Sequence, residues 1–242
     1  DHNMLVMSER VSDHLPKTDK YTPKQRLWYI RAKEAVISSG SIERPLVFGN
    51  NDTPGVMLSS AAKEYLKVYG VLVGKKPIVF TNNDSAYETA IEFKKNNIDP
   101  IVLDSRQDSN SEIIKEAKSL GIDIKFSHVV VAAKGYKKVK SCDIAEISEN
   151  KQNLNQIKNI ECDCICVSGF WTPTIHLASQ SGSKTKFKEE IDAFIPDKSK
   201  QKEVTLGSAN GIFTLEETLK TSFDKGYELS KEITKKNNSQ QI

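Results

Sequence analysis

The stretch Pro77-Ile78-Val79-Phe80-Thr81 decides the fold, because this apolar strand begins a regular alternation of strands and helices. Short apolar runs typical of buried strands alternate there with segments whose apolar residues recur at helical spacing. In chain order these are a strand at 77–81, a turn at 82–85, a helix at 86–96, a strand at 100–104, a helix at 111–120 that Gly121 ends, and a strand at 122–126. This β-α-β-α-β order predicts half of a doubly wound parallel sheet, and therefore an α/β fold.

The segment before this unit predicts short strands and one helix. Branched and aromatic residues favour strands over 4–12, 26–33 and 34–40. Helical spacing follows over 59–69, where we expect Ser59 or Ser60 to cap the beginning of the helix and Gly70 to end it.

The segment after the unit predicts mostly strands. Three strands in succession, at 128–134, 137–142 and 144–148, indicate a β-meander beside the sheet. The remaining expected elements are a polar loop at 150–159, a strand at 161–169, a strand at 204–207, a helix at 215–235 and a polar tail at 237–241.

The overall composition excludes several classes of protein. The 242 residues contain 35 Lys and Arg against 32 Asp and Glu, and the net charge of +3 is too balanced to indicate a nucleic-acid or membrane-surface protein. No apolar run approaches the ~18 residues of a membrane span. The chain begins at Asp1 without the basic and apolar regions of a signal peptide, so we expect a cytoplasmic protein and interpret the sequence as a piece of a longer one.

The turn between the first strand and helix of the unit is the first candidate nucleotide site. Dinucleotide-binding folds carry G-x-G-x-x-G there, so that backbone amides can approach a pyrophosphate. This chain has Asn82-Asn83-Asp84-Ser85 instead, so side chains occupy the space that a pyrophosphate needs, and Asp84 repels it. Asp104 ends the next strand, at the position of an acid that binds a ribose. We therefore favour a Rossmann-like unit without its ligand over a nucleotide site.

The segment from Gly207 to Gly211 is the second candidate. It follows a short apolar strand and precedes a helix, and glycines in this arrangement let a helix N-terminus face a ligand. A plain strand-to-helix turn explains the same residues, and the sequence leaves both interpretations open.

Cysteines and histidines match no metal or catalytic motif. Cys162, Cys164 and Cys166 are spaced so that one face of a strand would carry three thiols. Zinc sites usually need two pairs of cysteines, and a redox C-x-x-C is absent, so we interpret the thiols as structural. None of the four histidines has an acid or nucleophile at motif spacing, and the basic runs at 137–138 and 184–188 are interpreted as solvated surface.

Four stretches of the chain together resemble one family of enzymes. The strings N-N-D-T-P-G-V-M at 50–57 and T-N-N-D-S-A-Y at 81–87 are specific, and longer stretches at 31–48 and 167–177 support them. With these strings the chain resembles the central part of the alpha subunits of heterotetrameric sarcosine oxidases. Those subunits belong to the superfamily of FAD/NAD(P)-dependent pyridine nucleotide-disulfide oxidoreductases.

The resemblance implies two dinucleotide-binding domains, the second inserted into the first. Residues 1–48 and 168–242 would belong to the first FAD/NAD(P)-binding domain, and 49–167 to the inserted, Rossmann-like NAD(P)-binding-type domain. The family's N-terminal G-x-G-x-x-G unit would lie upstream of Asp1, so the first domain is expected to be incomplete in this chain. The family's folate-binding part would lie downstream of Ile242.

The resemblance also implies which residues face a dinucleotide. The first two fall on the family's A-T-G-type motif, and the others fall on the motif whose helix approaches the dinucleotide: Ser39, Gly40, Gly207, Ser208, Asn210 and Gly211. Flavin-binding members often carry an acid where Ser208 stands. We therefore expect NAD in the intact subunit, with FAD as the alternative, and no dinucleotide bound by this chain alone.

The implied function is that of one subunit of an oxidoreductase. The complete complex of the family converts sarcosine to glycine by oxidative demethylation, and the resemblance implies other subunits and a dinucleotide as partners. No residue of this chain matches a catalytic role or a metal ligand, so we expect a binding and scaffolding segment that is inactive alone. The alternatives are a non-catalytic assembly module and the alpha subunit of a related amine or proline dehydrogenase.

Overall fold

A computed structural model describes residues 3–148 and 154–238, and the side chains among them up to residue 234. In chain order the elements are β1 (Met4–Arg10), β2 (Gln25–Arg31), β3 (Ala35–Ile37), β4 (Ser41–Glu43), β5 (Val56–Leu58), α1 (Ser59–Tyr69), β6 (Pro77–Thr81), α2 (Tyr87–Lys95), β7 (Ile101–Asp104), α3 (Glu112–Ser119), β8 (Asp123–Phe126), β9 (His128–Gly135), β10 (Val139–Glu146), β11 (Lys158–Glu161), β12 (Cys164–Ser168), β13 (Trp171–Pro173), α4 (His176–Gln180), β14 (Thr185–Lys188), β15 (Ala193–Pro196), β16 (Glu203–Thr205) and α5 (Leu215–Asn238). Two 3₁₀ turns lie at Glu189–Ile191 and Gly207–Asn210. Among the described residues, no helix combines the length and the apolar character needed to span a bilayer.

The chain divides into two compact units. Asp1–Ile42 and Thr172–Ile242 form the first, which we call the split unit, and Glu43–Trp171 form the second, which we call the inserted unit. The divisions expected from the sequence lie between 48 and 49 and between 167 and 168, within a few residues of these. The assignment of either unit to a dinucleotide-binding domain of the family stays a prediction.

A five-stranded parallel sheet forms the centre of the inserted unit. Its strand order is β5-β12-β6-β7-β8, and each strand runs parallel to its neighbours. The chain moves outward from β6 through β7 to β8 and returns on the other side of β6 with β12, so the direction of the strand order reverses between β6 and β12. The predicted β-α-β-α-β unit and the α/β fold class are confirmed.

Both faces of this sheet are buried. Successive residues of a strand point to opposite faces, so Val79 packs on the side of the helices while Ile78 and Phe80 pack on the other side, with residues of β9 and β10. Burial on both faces is the rule for parallel sheets. It explains why β6 is a continuous apolar run rather than an alternating one.

The helix α1 begins differently from the prediction. Its N-cap residue is Leu58, which offers no capping side chain. Instead, the buried carboxylate of Glu43 accepts the backbone N–H of Ser60 at 2.9 Å and the Ser60 hydroxyl at 2.6 Å. A carboxylate in this place stabilises the positive end of the helix dipole. Capping by a serine of the helix itself is therefore wrong, whereas the expected end at Gly70 is confirmed by its φ of 64°.

The meander after β8 is a three-stranded antiparallel sheet ordered β11-β10-β9. The two strands expected at 137–142 and 144–148 are one strand, β10, because a shift of register between Asp143 and Ile144 is absorbed within it. The polar loop expected at 150–159 ends early, since β11 begins at Lys158. Part of that expected loop, residues 149–153, lies outside the described residues.

The segment 161–169 is two strands rather than one. β11 ends in the antiparallel sheet and β12 begins in the parallel sheet, and the chain turns between them at Asp163. Cys162 consequently packs with residues of the meander, while Cys164 and Cys166 lie on the helical side of the parallel sheet. The expected row of three thiols on one face is therefore wrong.

The split unit consists of two-stranded pairings and a long helix. β1 pairs with β2 and β14 with β15, both antiparallel, and β4 pairs with β13. β3 and β16 pair in parallel, with Ile37 beside Thr205. α5 spans 24 residues, and the tail expected at 237–241 begins within it and continues beyond the described residues. The parallel pairing brings two predicted binding segments that are distant in the sequence to one edge.

We predict that Glu43→Gln lowers the free energy of unfolding by about 1–2 kcal/mol, because a buried charged hydrogen bond and the favourable charge at the helix start are both weakened. Chemical denaturation followed by circular dichroism measures the change. The matched control is Glu64→Gln, an exposed residue of the same helix, which should change stability by less than ~0.5 kcal/mol. Equal effects of the two substitutions would contradict the role of Glu43.

Candidate functional site

The carboxyl edge of the parallel sheet in the inserted unit is one of two candidate sites. Open α/β sheets bind ligands outside the carboxyl ends of their strands, where the strand order reverses. In this unit that point lies between β6, which ends at Thr81, and β12, which ends at Ser168. A dinucleotide bound in this fold would enter here.

Asn83 closes this position. Its side-chain amide donates hydrogen bonds to the carbonyl oxygen and the hydroxyl of Ser168, both at 3.1 Å. Its backbone N–H donates to the Thr81 hydroxyl at 3.0 Å, which ties the turn to the end of β6. Asn83 is only 5% exposed. Side chains of this turn are expected to occupy the space that a ligand needs. In the structure Asn83 occupies it by forming a hydrogen-bonded bridge between the ends of β6 and β12.

The rest of the turn fixes Asn83 in place. The Ser85 hydroxyl donates to Oδ1 of Asn83 at 2.6 Å, and the Ser85 backbone N–H donates to the same oxygen at 3.0 Å. The indole N–H of Trp171 in turn donates to the Ser85 hydroxyl at 3.0 Å. Two backbone N–H groups of this turn, those of Asn83 and Ser85, are therefore engaged within the protein itself.

Asp104, in the ribose-binding position, is also engaged internally. Its side chain is fully buried, and its two oxygens accept the Arg106 guanidinium, with Nη2 at 2.7 Å from Oδ2 and Nε at 3.0 Å from Oδ1. The Tyr87 hydroxyl donates to Oδ2 at 2.8 Å. Arg106 also pairs with Asp84 through Nη1 at 2.8 Å. Asp84, expected to repel a pyrophosphate, is thus one of two carboxylates that neutralise this arginine.

The cluster changes the acidity of two of its members. Burial, and then the negative charge of Asp104, raise the pKa of the Tyr87 hydroxyl well above its ordinary value of 10.0. Burial alone would lower the pKa of Arg106, but the hydrogen bonds that its guanidinium donates to the carboxylates of Asp104 and Asp84 outweigh burial and raise the pKa. In the folded protein the Tyr87 hydroxyl therefore keeps its proton and donates, and the Arg106 guanidinium keeps its positive charge.

Asp104 is a candidate from the sequence alone, whereas its partners Arg106 and Tyr87 are not among the predicted residues. Arg106 follows it by two residues at the end of a strand, so an Asp-x-Arg motif could have indicated a local ion pair. Tyr87 carried no such signal, since it reaches Asp104 only through the packing of α2. Ser168, the partner of Asn83, likewise reaches the turn only through the pairing of β12 with β6.

The carboxyl edge of the β3 and β16 pair is the second candidate site, in the split unit. Ile37 and Thr205 end the paired strands, and the Leu206 N–H donates to the Ile37 carbonyl at 2.9 Å. The predicted residues Ser39, Gly40, Gly207 and Ser208 therefore follow two strands that end side by side.

Gly40 leaves an open approach to the backbone at this edge. Its φ is +75°, and the nearest atom that a Cβ would meet is the Ser208 hydroxyl oxygen at 4.0 Å. The neighbouring Ser39 hydroxyl is directed to the Thr174 carbonyl at 2.7 Å, and the Thr174 N–H donates to the Gly40 carbonyl at 2.9 Å. The turn at Gly40 is thus held from one side by Thr174 and faces Ser208 on another.

The other two predicted residues are placed differently. Gly211 is buried, and a Cβ there would lie 3.0 Å from both Ile191 and Ile195, so this glycine serves packing against β15. Asn210 lines an open groove of about 640 Å³ beside Lys186 and Lys188. Gly207–Asn210 form a 3₁₀ turn, and the helix expected at 215–235 is confirmed as α5, which begins at Leu215. The structure therefore brings together four of the six predicted residues.

Cysteines and histidines add no further centre. No group of three or more His, Cys, Asp or Glu side chains suited to a metal lies within residues 3–148 and 154–234. Cys164 and Cys166 share a hydrogen bond, with their sulfurs 3.7 Å apart. This hydrogen bond, followed by burial, raises the pKa of the Cys166 thiol. Buried thiols with raised pKa are unreactive, which agrees with a structural role.

Comparisons with known proteins add the family context. The chain is 33% identical over 224 residues to the sarcosine oxidase subunit alpha of Corynebacterium sp. strain P-1, a match that covers 91% of this chain and 23% of that protein. It is 34% identical over 211 residues to the subunit of the same name from Rhizobium meliloti, which covers 86% of this chain and 20% of the relative. The chain is related to a segment of sarcosine oxidase alpha subunits. It spans about a quarter of their length, and no protein-family profile matches it.

Solved structures show the same fold as this sarcosine oxidase-related chain. Thioredoxin reductase of T. acidophilum matches with a TM-score of 0.61 at 16% identity, covering 78% of this chain and 62% of that one. L-proline dehydrogenase of P. horikoshii matches with a TM-score of 0.50 at 24% identity, covering 76% of this chain and 31% of that one. These matches confirm the expected Rossmann-like α/β fold.

We predict that Tyr87→Phe costs about 1–2 kcal/mol of unfolding free energy at neutral pH, because a buried carboxylate oxygen loses a donor. The wild-type chain should also lose stability above pH 10.0, since its hydroxyl ionises only in the unfolded state until the pH passes the raised pKa of the folded protein. The substitution should make this alkaline decline shallower, which denaturation at several pH values measures.

The control for that measurement is Tyr69→Phe, an exposed tyrosine of α1. At neutral pH it should change the free energy of unfolding by less than ~0.5 kcal/mol. An unchanged alkaline decline in Tyr87→Phe would refute the link between Tyr87 and Asp104.

Proposed function

We propose that this chain is a segment of the alpha subunit of a sarcosine oxidase-like oxidoreductase. The observation that carries the proposal is the identity of 33% over 91% of the chain to a protein of that name. The geometry of the split unit supports it, because two segments expected to face a dinucleotide meet at the ends of two parallel strands. In the complete complex the activity would be the oxidative demethylation of sarcosine to glycine.

The proposed role of the split unit is to form one side of a dinucleotide site. Gly40 has the open approach that close contact with a dinucleotide requires, and Ser208 offers a hydroxyl beside it. We propose NAD as the ligand, with FAD as the alternative, because Ser208 replaces an acid common in flavin-binding members. A nicotinamide ring, when bound, accepts or donates hydride; the residues of this chain would bind and orient the dinucleotide. The chain contains no G-x-G-x-x-G, so the pyrophosphate cradle has to come from another part of the protein.

The proposed role of the inserted unit is a scaffold that holds no dinucleotide. Asn83 bridges the strand ends where the ligand would enter, and Asp104 is saturated by Arg106 and Tyr87. These contacts favour the second candidate function, a non-catalytic assembly module, for this part of the chain. We assign no catalytic residue to either unit.

The proposed partners are the other subunits of the oxidase, and the proposed location is the cytoplasm. The relatives are named as subunits, which indicates an assembly of several polypeptides. The alpha subunit of a related amine or proline dehydrogenase is the alternative identity. The likeness to L-proline dehydrogenase concerns the fold alone.

The whole-protein activity is tested by sarcosine-dependent formation of hydrogen peroxide. We expect it from the intact polypeptide isolated with its partner subunits, and we expect none from this chain alone. Proline and other secondary amines serve as competing substrates in the same assay. Turnover of proline in place of sarcosine would identify the alternative dehydrogenase, and turnover of no amine would overturn the proposed activity.

The dinucleotide site is tested by Gly40→Ala in the intact polypeptide. We predict that this substitution weakens NAD binding by about tenfold or more, because a Cβ enters the approach to the backbone at the site. Calorimetric titration measures the dissociation constant.

Gly121→Ala is the matched control for Gly40→Ala. Gly121 has a φ of +73°, close to the +75° of Gly40, and a Cβ there would meet nothing within 4 Å. Both substitutions should cost about 1–2 kcal/mol of stability for the left-handed backbone, but only the first should change NAD affinity. Equal NAD affinities of the two variants would show that Gly40 is not part of the dinucleotide site.

A further inference from the structure

Lysines gather at the amino edge of the parallel sheet in the inserted unit, opposite the candidate ligand edge. Three sequence segments contribute to them: the segment before β6, the turn between β9 and β10, and the beginning of β10. We call this surface the lysine edge and define it by Lys75, Lys76, Lys137, Lys138 and Lys140, all of which are exposed.

Backbone hydrogen bonds bring these segments together at the turn between β11 and β12. The Cys162 N–H donates to the Lys140 carbonyl at 3.2 Å, and the Asp163 N–H donates to the Lys76 carbonyl at 3.3 Å. Val139 is fully buried, and its N–H donates to the Pro54 carbonyl at 2.9 Å, just before β5. The tip of the β9–β10 hairpin is thus anchored at the starts of the parallel strands.

The neighbouring acids neutralise little of this charge. Glu161 pairs with Lys76 at 2.8 Å. The two oxygens of Asp163 instead accept the backbone N–H groups of Lys75 and Lys76, both at 2.8 Å, so this carboxylate stabilises the turn rather than a lysine side chain. The lysine edge therefore keeps a local excess of positive charge on a chain whose net charge is only +3.

The hairpin presents an exposed aromatic residue among these charges. Tyr136 is 92% exposed at the tip. The turn that carries it requires Gly135, because a Cβ there would lie 1.9 Å from the Lys138 carbonyl oxygen. Lys134, before the turn, is held by an ion pair with Asp143 at 3.0 Å. Exposed tyrosines on ordered backbone are frequent anchors of protein interfaces.

We propose that the lysine edge, with Tyr136, docks an acidic surface of another polypeptide of the oxidase assembly. The inference rests on the proposed function for the existence of that assembly. Lysine ammonium groups are compact charges that fit carboxylates without a fixed fork geometry, whereas phosphate recognition favours arginine, which is absent from this edge. The near-neutral overall charge also favours a protein partner over nucleic acid. The basic run at 137–138 is therefore assigned to docking rather than to solvated surface alone.

Zero-length crosslinking with a carbodiimide tests the proposal, because it joins lysine amines to carboxylates in direct contact. The intact polypeptide is isolated with its co-purifying partners, crosslinked, and mapped by mass spectrometry. We expect links from Lys137, Lys138 or Lys140 to carboxylates of another polypeptide. Links confined to carboxylates of the same chain, or isolation of the polypeptide without any partner, would overturn the proposal.

A charge-reversed variant provides the second measurement. Lys137→Glu, Lys138→Glu and Lys140→Glu together should weaken association by about tenfold or more and reduce its salt dependence. The control reverses Lys17, Lys20 and Lys24 to Glu in the exposed loop of the split unit, an equal change of net charge that should leave association unchanged. Equal effects of both variants would show that only net charge matters and would refute a specific docking surface.

A single-stranded DNA oligonucleotide serves as the competing probe. Binding of DNA that is lost in the reversed variant, without crosslinks to another polypeptide, would reassign the lysine edge to nucleic acid. Sarcosine turnover is measured on the same preparations. Turnover without interchain crosslinks defeats the docking proposal alone, whereas crosslinks without turnover of any amine defeat the proposed activity alone.

Discussion

A fully buried carboxylate at the end of β7 is the constraint on which the inserted unit depends. A charge out of reach of water is tolerated only when it is paired and hydrogen-bonded, so Asp104 fixes the positions of Arg106 and Tyr87. Tyr87 is the first residue of α2, and Arg106 also reaches Asp84 in the turn before that helix. One desolvated charge thus ties together the end of a strand, the start of a helix and the loop that a ligand would have to contact.

Because of this constraint, the inserted unit has a fold that usually binds a dinucleotide, but the polar groups at its ligand edge are paired within the protein. The sheet has the strand reversal where related folds bind a dinucleotide, but Asn83 and Ser168 bridge the two strand ends, and Asp104 has no acceptor left for a ribose. Converting such an edge to a binding site would expose a buried ion pair, which is costly. The proposed scaffold role is supported by the energetics of this cluster as well as by the missing glycines.

Glycines have different structural roles in the two units. Gly40 keeps space open at the edge of β3 and β16, where the proposed dinucleotide site lies, whereas Gly211 removes a side chain that would strike Ile191 and Ile195. Gly135 makes the turn that presents Tyr136 at the lysine edge. The carboxyl and amino edges of the inserted sheet differ in their chemistry: paired polar groups are buried at the first, and an excess of positive charge is exposed at the second.

The sequence by itself determined the β-α-β-α-β unit, the helix α1 with its end at Gly70 and the absence of a phosphate cradle, because periodicity, capping glycines and local motifs are short-range signals. The match to sarcosine oxidase alpha subunits also came from contiguous strings. Only the tertiary structure decided that Glu43 caps α1, that Asp163 divides Cys162 from Cys164 and Cys166, and that Ser208 approaches Gly40 while Gly211 does not. Each of these contacts joins residues whose distance is set by strand pairing and packing rather than by spacing along the chain. Likewise, only the packing of α2 brings Tyr87 to the buried charge of Asp104, and no pattern along the chain indicates that contact.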